Sequence, residues 1–260
     1  MSRIADAFAT CRAEGRAAFV AFLTASYPDD ARFLEAATAV LRHADVLEVG
    51  LPFSDPLGDG PVIQRASEAA LAGGASAART LELVTALRAT TDKPILVMTY
   101  YNPVFCFPGG EGEFVRAAKA AGVDGLILPD LPPDEGAELI AAARTADLDT
   151  VFLVAPTSTP ERLALVTAAC RGFVYAVSVT GVTGARDSVP TEVAGLVAAV
   201  KAVTDLPVAV GFGVGSAASA RRVAAVADGV VVGSALVSTL ERGEALGPPA
   251  AGLAAGCMRD

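Results

Sequence analysis

A chain of 260 residues that is 53% hydrophobic and only 19% charged can bury a large core, which excludes an intrinsically disordered protein. The net charge of −9 argues against a nucleic-acid-binding protein, because an acidic surface repels a phosphate backbone, although backbone N–H groups can still bind one small anion. The four cysteines show neither metal-ligand spacing nor a disulfide framework. We therefore expect reduced thiols and a cytoplasmic protein without a signal peptide or membrane span.

Short β-branched runs alternate along the chain with alanine- and leucine-rich segments of helical length. Such alternation is typical of a parallel sheet covered by helices. Residues 4–12 are predicted to form an extra N-terminal helix, and residues 31–42 and 193–203 are predicted to form amphipathic helices. The predicted strands are 18–23, 46–49, 95–99, 123–128, 150–154, 173–177, 208–210 and 229–232.

Eight strand–helix units favour a closed (β/α)8 barrel, the TIM-barrel fold, over an open doubly wound sheet of parallel strands. The extra N-terminal helix would then close the bottom of the barrel. No linker, low-complexity tract or change of composition divides the chain, so we expect a single domain over residues 1–260. Barrels of this kind carry their active sites at the carboxyl ends of the strands.

Glu48 is the first candidate at such an end, because it stands in the otherwise apolar run 46–49. A buried carboxyl group is costly unless it is paired or functional, so it is either a salt-bridged structural residue or a general acid/base with a raised pKa. The loop that follows, residues 51–61, is long and rich in proline, glycine and aspartate, as functional rim loops often are. Its Asp55 and Asp59 either cap turns and the next helix or take part in the chemistry.

Three later strand ends are rich in glycine, namely residues 181–184, 211–216 and 233–235. Because backbone N–H groups at such turns can approach an anion closely, these segments predict a phosphate site, with simple tight turns as the alternative. The spacing in 211–216 is not that of a dinucleotide-binding fingerprint. The only histidine, His43, lies at a helix end, so acid/base work falls to carboxylates or tyrosines, and no metal site is predicted.

The run 47–64, LEVGLPFSDPLGDGPVIQ, resembles the signature of the tryptophan synthase alpha chain family. Residues 98–104, 128–132, 155–158, 178–184 and 211–213 match further motifs of that family in the family's order. The resemblance implies a TIM barrel and a retro-aldol lyase of tryptophan biosynthesis, which cleaves indole-3-glycerol phosphate to indole and glyceraldehyde 3-phosphate. It implies further that Glu48 shuttles protons between indole C3 and the glycerol hydroxyl, and that Asp59 binds the indole N–H.

The same resemblance implies the remaining residues of the site. The indole pocket would be lined by Phe22, Tyr100, Ile127, Tyr175 and Phe212. The phosphate would be held by Gly184, Gly213, Gly233 and Ser234. Thr183 would meet Asp59 when the loops close over the substrate. Ile127 departs from the family pattern, in which leucine is common, but an isoleucine keeps the pocket apolar.

The family's alpha chain binds a pyridoxal-phosphate-dependent beta chain, which implies an α2β2 tetramer, and it passes indole to that chain through a tunnel. The residues that match the contact region are Asp55, Pro56, Asn102, Pro103, Phe105, Asp130 and Pro132. No cofactor is expected in this chain, because the pyridoxal phosphate belongs to the beta chain. The glycine-rich segment 107–112 departs from the family pattern beside this region.

Three alternatives remain: a stand-alone lyase that releases free indole, a phosphosugar isomerase or other phosphate-binding barrel, and a catalytically inactive activator of a beta chain. The stand-alone lyase would use the same catalytic residues. Only turnover measured with and without a beta chain therefore separates it from an alpha chain that works with a beta chain. A phosphosugar isomerase would not need both Glu48 and the long loop that carries Asp59. The presence of both carboxylates argues against an inactive activator.

Overall fold

A computed structural model of the protein describes residues 2–177, 191–211 and 213–259. In it the strands form one sheet, in which neighbouring strands run parallel and which curves into a barrel. The strands are β1 (Ala18–Thr24), β2 (Val46–Gly50), β3 (Ile95–Met98), β4 (Gly125–Ile127), β5 (Asp149–Val151), β6 (Leu153–Val154), β7 (Val174–Val177), β8 (Val208–Gly211) and β9 (Gly229–Val232). Their order in the sheet is β5-β4-β3-β2-β1-β9-β8-β7-β6.

The sheet closes on itself at Phe152. The strands β5 and β6 stand at opposite ends of the strand order, yet they are one run of chain interrupted only at this residue. Across the seam, the Tyr175 N–H donates to the Phe152 carbonyl oxygen at 3.2 Å and the Arg171 N–H donates to the Thr150 carbonyl oxygen at 2.8 Å. Residues 149–154 therefore act as one strand of an eight-stranded barrel, which confirms the predicted (β/α)8 fold.

Helices surround the barrel, and those predicted at 31–42 and 193–203 are present within two residues of the predicted bounds. The helices are α1 (Arg3–Ala13), α2 (Asp30–Leu41), α3 (Pro61–Ala72), α4 (Ala77–Arg88), α5 (Tyr101–Phe105), α6 (Gly110–Ala121), α7 (Ala137–Thr145), α8 (Pro160–Ala169), α9 (Thr191–Lys201), α10 (Ala217–Ala224), α11 (Ser234–Glu241) and α12 (Gly247–Gly256). Among these described helices, none has both the length and the apolar character needed to cross a membrane.

Helix α12 lies in a segment whose glycines and prolines predict little helix. Pro248 and Pro249 occupy its first turn, where a missing backbone N–H costs no hydrogen bond. Its Ala250 and Leu253 are buried. A Cβ on Gly256 would lie 2.4 Å from the Ala217 carbonyl oxygen, so this glycine permits α12 to pack closely against α10. Tertiary packing thus stabilises a helix that local propensity does not favour.

Helix α1 closes the bottom of the barrel, as predicted. Ile4, Phe8 and Cys11 are buried among the inward-facing strand residues. The Phe8 ring packs at 5.3 Å from the Phe173 ring, and the Arg3 guanidinium forms an ion pair with Asp124 at 2.9 Å. This end of the barrel is filled, and the opposite end is left for the site.

Strand register decides which side chains meet at that opposite end. Phe22 of β1 is paired with Glu48 of β2, and Thr24 is paired with Gly50. Register partners project to the same face, and alternate residues of a strand share a face. Phe22, Glu48 and Gly50 therefore share the inward face near the carboxyl ends of β1 and β2.

Candidate active site

A cleft that is open to solvent on one side lies at the carboxyl ends of the strands. The lining residues are Phe22, Glu48, Asp59, Gly60, Ile63, Met98, Tyr175, Gly213, Val214, Val231, Gly233 and Ser234. The structure thus brings both predicted carboxylates together with predicted ring-binding and phosphate-binding residues.

Glu48 lies in β2 with 0% of its surface exposed. Neither of its carboxyl oxygens has a hydrogen-bond partner among the residues that the structure describes. Burial, and then the charge of Asp59, raise the pKa of Glu48 to about 8. At pH 7 this carboxyl is therefore mostly neutral and can donate a proton into the cleft. Within the described chain, the salt-bridged alternative does not hold.

Asp59 reaches the cleft from the loop between β2 and α3. The residue that caps α3 is Gly60, so the Asp59 carboxylate does not serve as the helix cap. Burial raises the pKa of Asp59 to about 6, although a hydrogen bond from Tyr100 opposes the rise. At pH 7 Asp59 is mostly ionised, while Glu48 is mostly protonated. Two neighbouring carboxyl groups with different pKa values can divide acid and base roles.

Tyr100 holds the Asp59 loop in place. Its hydroxyl accepts the Gly58 N–H at 2.9 Å, next to Asp59 in the loop, and it lowers the pKa of the Asp59 carboxyl. The Phe53 ring stacks on the Tyr100 ring at 5.2 Å between centroids. On the other side of Asp59, the Gln64 side-chain amide donates to the Asp59 carbonyl oxygen at 2.9 Å. The position of Asp59 therefore depends on the segment between β3 and α5 and on α3, as well as on its own loop.

Two aromatic side chains form walls of the cleft, and each lies over a glycine of the neighbouring strand. A Cβ on Gly50 would lie 2.4 Å from Phe22 Cζ, and a Cβ on Gly211 would lie 2.3 Å from the Tyr175 hydroxyl. Burial, followed by the charges of Glu48 and Asp59, raises the pKa of Tyr175 well above its ordinary value. Tyr175 therefore stays protonated and acts as a wall rather than as a base.

The amino end of α11 lines the other part of the cleft. The capping residue of α11 is Gly233, which leaves the first N–H groups of this helix without a side-chain cap. By contrast, the α10 cap Ser216 is engaged in a reciprocal capping box with Ser219. Uncapped N–H groups and the helix dipole favour an anion. The Ser234 hydroxyl and the turn at Gly213, whose φ is 78°, lie in the same region.

Four further predicted site residues, besides Tyr100, are not among the residues that the structure shows lining the cleft. Tyr100 acts through Asp59, as described above. Ile127 is fully buried in the inner layer of the barrel and is not among the described lining residues. Thr183, Gly184 and Phe212 lie outside the described residues. In the described ranges, no group of three metal-binding side chains occurs.

Among the lining residues in the described ranges, five were not singled out individually from the sequence: Gly60, Ile63, Met98, Val214 and Val231. Met98 ends β3, so the rule that strand ends form the site could have found it. Ile63 lies in the first turn of α3, and only the folded path of the preceding loop places it in the cleft.

The predicted contact residues lie on the rim beside the cleft. Asp55, Asn102 and Asp130 are exposed, and so are the apolar side chains Leu57 (93%) and Phe105 (62%). The Asp130 carboxylate accepts the N–H of Tyr101 at 2.9 Å, so the segments 101–105 and 130–132 are neighbours. The role of these residues in partner binding stays a prediction.

The sequence and the fold of this chain were compared with those of known proteins. The profile of the family described as "Tryptophan synthase alpha chain" matches residues 8–251. The tryptophan synthase alpha chain of Deinococcus radiodurans is 56% identical over 260 residues, which cover 100% of this chain and 96% of that protein. The solved tryptophan synthase structure from Mycobacterium tuberculosis aligns with a TM-score of 0.92 and 47% identity over 100% of this chain and 99% of that one. The alpha chain structure from Legionella pneumophila aligns with a TM-score of 0.87 and 33% identity, over 99% and 96% of the two chains.

Proposed function

Since the chain belongs to the tryptophan synthase alpha chain family, we propose that Glu48 and Asp59 carry out the acid–base chemistry of that family's reaction in this protein. The reaction is a carbon–carbon lyase step of tryptophan biosynthesis, in which indole-3-glycerol phosphate is cleaved to indole and glyceraldehyde 3-phosphate. The observation that supports the assignment is the buried Glu48 carboxyl, which has no hydrogen-bond partner in the described part of the chain and lines one cleft together with Asp59.

In the proposed reaction, the neutral Glu48 carboxyl donates its proton to C3 of the indole ring. The ring becomes an indoleninium cation, and ionised Asp59 accepts a hydrogen bond from the ring N–H and offsets the positive charge. The Glu48 carboxylate then removes the proton from the glycerol hydroxyl next to the ring. As the aldehyde forms, the C–C bond breaks and its electron pair returns to the ring, so that Glu48 regains its proton.

The pKa values of the two carboxyl groups suit these steps. A carboxyl with a pKa of about 8 is protonated at pH 7 and is ready to act first as an acid. It gives up its proton only to a strongly activated carbon, and it takes one back easily once it is ionised in an apolar site. Asp59, with a pKa of about 6, is already ionised at pH 7 and can face the cationic ring.

The apolar residues of the cleft support binding of the indole ring. Phe22 and Tyr175 supply aromatic walls, and Ile63 and Met98 supply aliphatic ones. The uncapped amino end of α11 with Ser234 supports binding of the phosphate. The substrate would then lie with its ring toward Glu48 and its phosphate toward α11.

The alpha chain of this family works with the beta chain of tryptophan synthase, and the pyridoxal phosphate belongs to the beta chain. We propose that the exposed rim with Asp55, Asn102 and Phe105 is where the beta chain binds. We also propose that residues 1–260 form one domain and that the protein acts in the cytoplasm. The free thiols of Cys11, Cys106, Cys170 and Cys257 are consistent with a reducing compartment.

The experiment that tests the proposal is turnover by the Glu48→Gln variant. We expect a loss in kcat of at least about 10²-fold, the usual scale for a positioned acid/base group, with unchanged circular dichroism. The control is Glu35→Gln on the exposed face of α2, which makes the same chemical change away from the cleft. Indole release is followed with and without a beta chain. Near-normal turnover by Glu48→Gln under both conditions would show that another group carries the protons.

A further inference from the structure

We infer that Gly50 sets the shape of the indole-binding end of the cleft, because its missing side chain leaves the space in which the Phe22 ring lies. Gly50 is in this sense a positioning residue that acts through Phe22, which lines the cleft directly. The inference rests on the proposed function, since it is the indole ring of the substrate that Phe22 would contact.

The strand register brings the two residues together. Phe22 is paired with Glu48, two positions before Gly50 on the same inward face of β2. The Phe22 ring leans across to the position of Gly50. A Cβ built on Gly50 would lie 2.4 Å from Cζ and 2.6 Å from Cε2 of that ring. The outer edge of the ring therefore occupies the space that any side chain at position 50 would need.

The neighbouring strand limits the ring on its other side. A Cβ on Gly233, the residue that follows β9, would lie 3.2 Å from Phe22 Cδ1 and 3.5 Å from Phe22 Cβ. The ring thus passes close to a glycine on either side. Only 7% of Phe22 is exposed, and the side that remains open is the cleft. A ring displaced from Gly50 would therefore move into the cleft.

The size of that movement follows from the distances. Ordinary contact begins at 3.4 Å, so a methyl group on Gly50 would displace the ring edge by about 1 Å. A planar ligand held between close walls loses much of its contact from such a shift, and misplacements of about 1 Å can cost on the order of 10²-fold in catalysis. The groups proposed to bind the phosphate are the first N–H groups of α11 and the Ser234 hydroxyl, none of which is part of this ring.

The test is the Gly50→Ala variant with two ligands. The first ligand is indole-3-propyl phosphate, which lacks the hydroxyl groups of the substrate and cannot be cleaved. Because the chain contains no tryptophan, indole fluorescence reports this ligand alone. The second ligand is glycerol 3-phosphate, measured by calorimetry. The matched control is Gly195→Ala on α9, where a Cβ meets no atom of the described residues within 4 Å.

We expect Gly50→Ala to weaken indole-3-propyl phosphate at least tenfold and to leave glycerol 3-phosphate within twofold of the wild-type affinity. Phe22→Leu removes Cζ and both Cε atoms, so the Gly50→Ala penalty should vanish in that background. This second pair of variants also decides the question if Gly50→Ala alone does not fold.

Unchanged affinity for the indole ligand, an equal loss for both ligands, or the same penalty in the Phe22→Leu background would each overturn the inference. Failure of the wild-type chain to bind indole-3-propyl phosphate at all would instead overturn the proposed function. The two failures are therefore distinguishable.

Discussion

Replacing Glu48 by glutamine should flatten the dependence of stability on pH. The pKa of Glu48 is raised from its ordinary value of 4.5 to about 8 in the folded protein, chiefly by burial. Below pH 4.5 the Glu48 carboxyl is protonated in both the folded and the unfolded chain, so its ionisation does not contribute to the free energy of unfolding. As the pH rises from 4.5 to 8, only the unfolded chain releases the proton, so the folded state loses stability.

The expected magnitude is large for a single residue. The stability lost to Glu48 is about 1.4 kcal/mol per pH unit between the two pKa values, or about 5 kcal/mol over the whole range. Between pH 5.5 and 8.5 it is about 3 kcal/mol, because the slope declines near pH 8. Burial also raises the pKa of Asp59, so Asp59 too lowers the free energy of unfolding as the pH rises. This contribution is present in the wild type and in Glu48→Gln alike.

The assay is urea unfolding at pH 5.5, 7.0 and 8.5 for the wild type, Glu48→Gln and the surface control Glu35→Gln. Far-ultraviolet circular dichroism is the suitable probe, because the chain contains no tryptophan. The free energy of unfolding of the wild type and of the control should fall between pH 5.5 and 8.5 by about 3 kcal/mol more than that of Glu48→Gln. Parallel curves for all three proteins would refute a raised pKa at Glu48.

Three further outcomes are expected. The kcat/KM profile should fall on the basic side near pH 8 as Glu48 ionises, and on the acidic side near pH 6 as Asp59 is protonated; a basic limb that persists in Glu48→Gln would contradict this. Tyr100→Phe removes a hydrogen bond that lowers the pKa of Asp59, so the acidic limb should move to higher pH and kcat should fall about tenfold. Ser234→Asp places a negative charge at the uncapped end of α11 and should raise KM for the substrate at least about tenfold, whereas an unchanged KM would place the phosphate elsewhere.

The sequence predicts most of the fold because its strands are buried on both sides. Runs such as 46–49 and 229–232 are nearly continuous in β-branched and other apolar residues, and this pattern identifies parallel strands without knowledge of their partners. Glu48 could be identified for the same reason, since a carboxylate interrupts such a run. The glycine-rich end at 233–235 was found from composition, and it lines the cleft together with Glu48.

The contacts of the Asp59 loop could not be predicted in the same way. Spacing along the chain does not say whether residues 51–61 extend away from the barrel or fold back over it. The answer depends on Tyr100, which lies 41 positions from Asp59 in the sequence, accepts the Gly58 N–H and lowers the pKa of Asp59. The inclusion of Ile63 in the cleft follows from the same folded path. Side-chain contacts between distant segments are set by tertiary packing, which no local pattern encodes.

The two carboxylates differ in how they are held, and this difference bears on regulation by a partner. Glu48 is part of a strand whose neighbours on both sides belong to the closed barrel, so its position is fixed by the sheet. Asp59 lies on a loop that also carries Asp55, which is on the exposed rim. Tyr100, which holds Asp59 in place, is the residue just before α5. A beta chain bound to this rim would contact the two segments that carry Asp59 and Tyr100, but it would reach Glu48 only through the barrel. We therefore expect a partner to act on the acidic limb of the pH profile, which Asp59 sets, and to leave the basic limb in place.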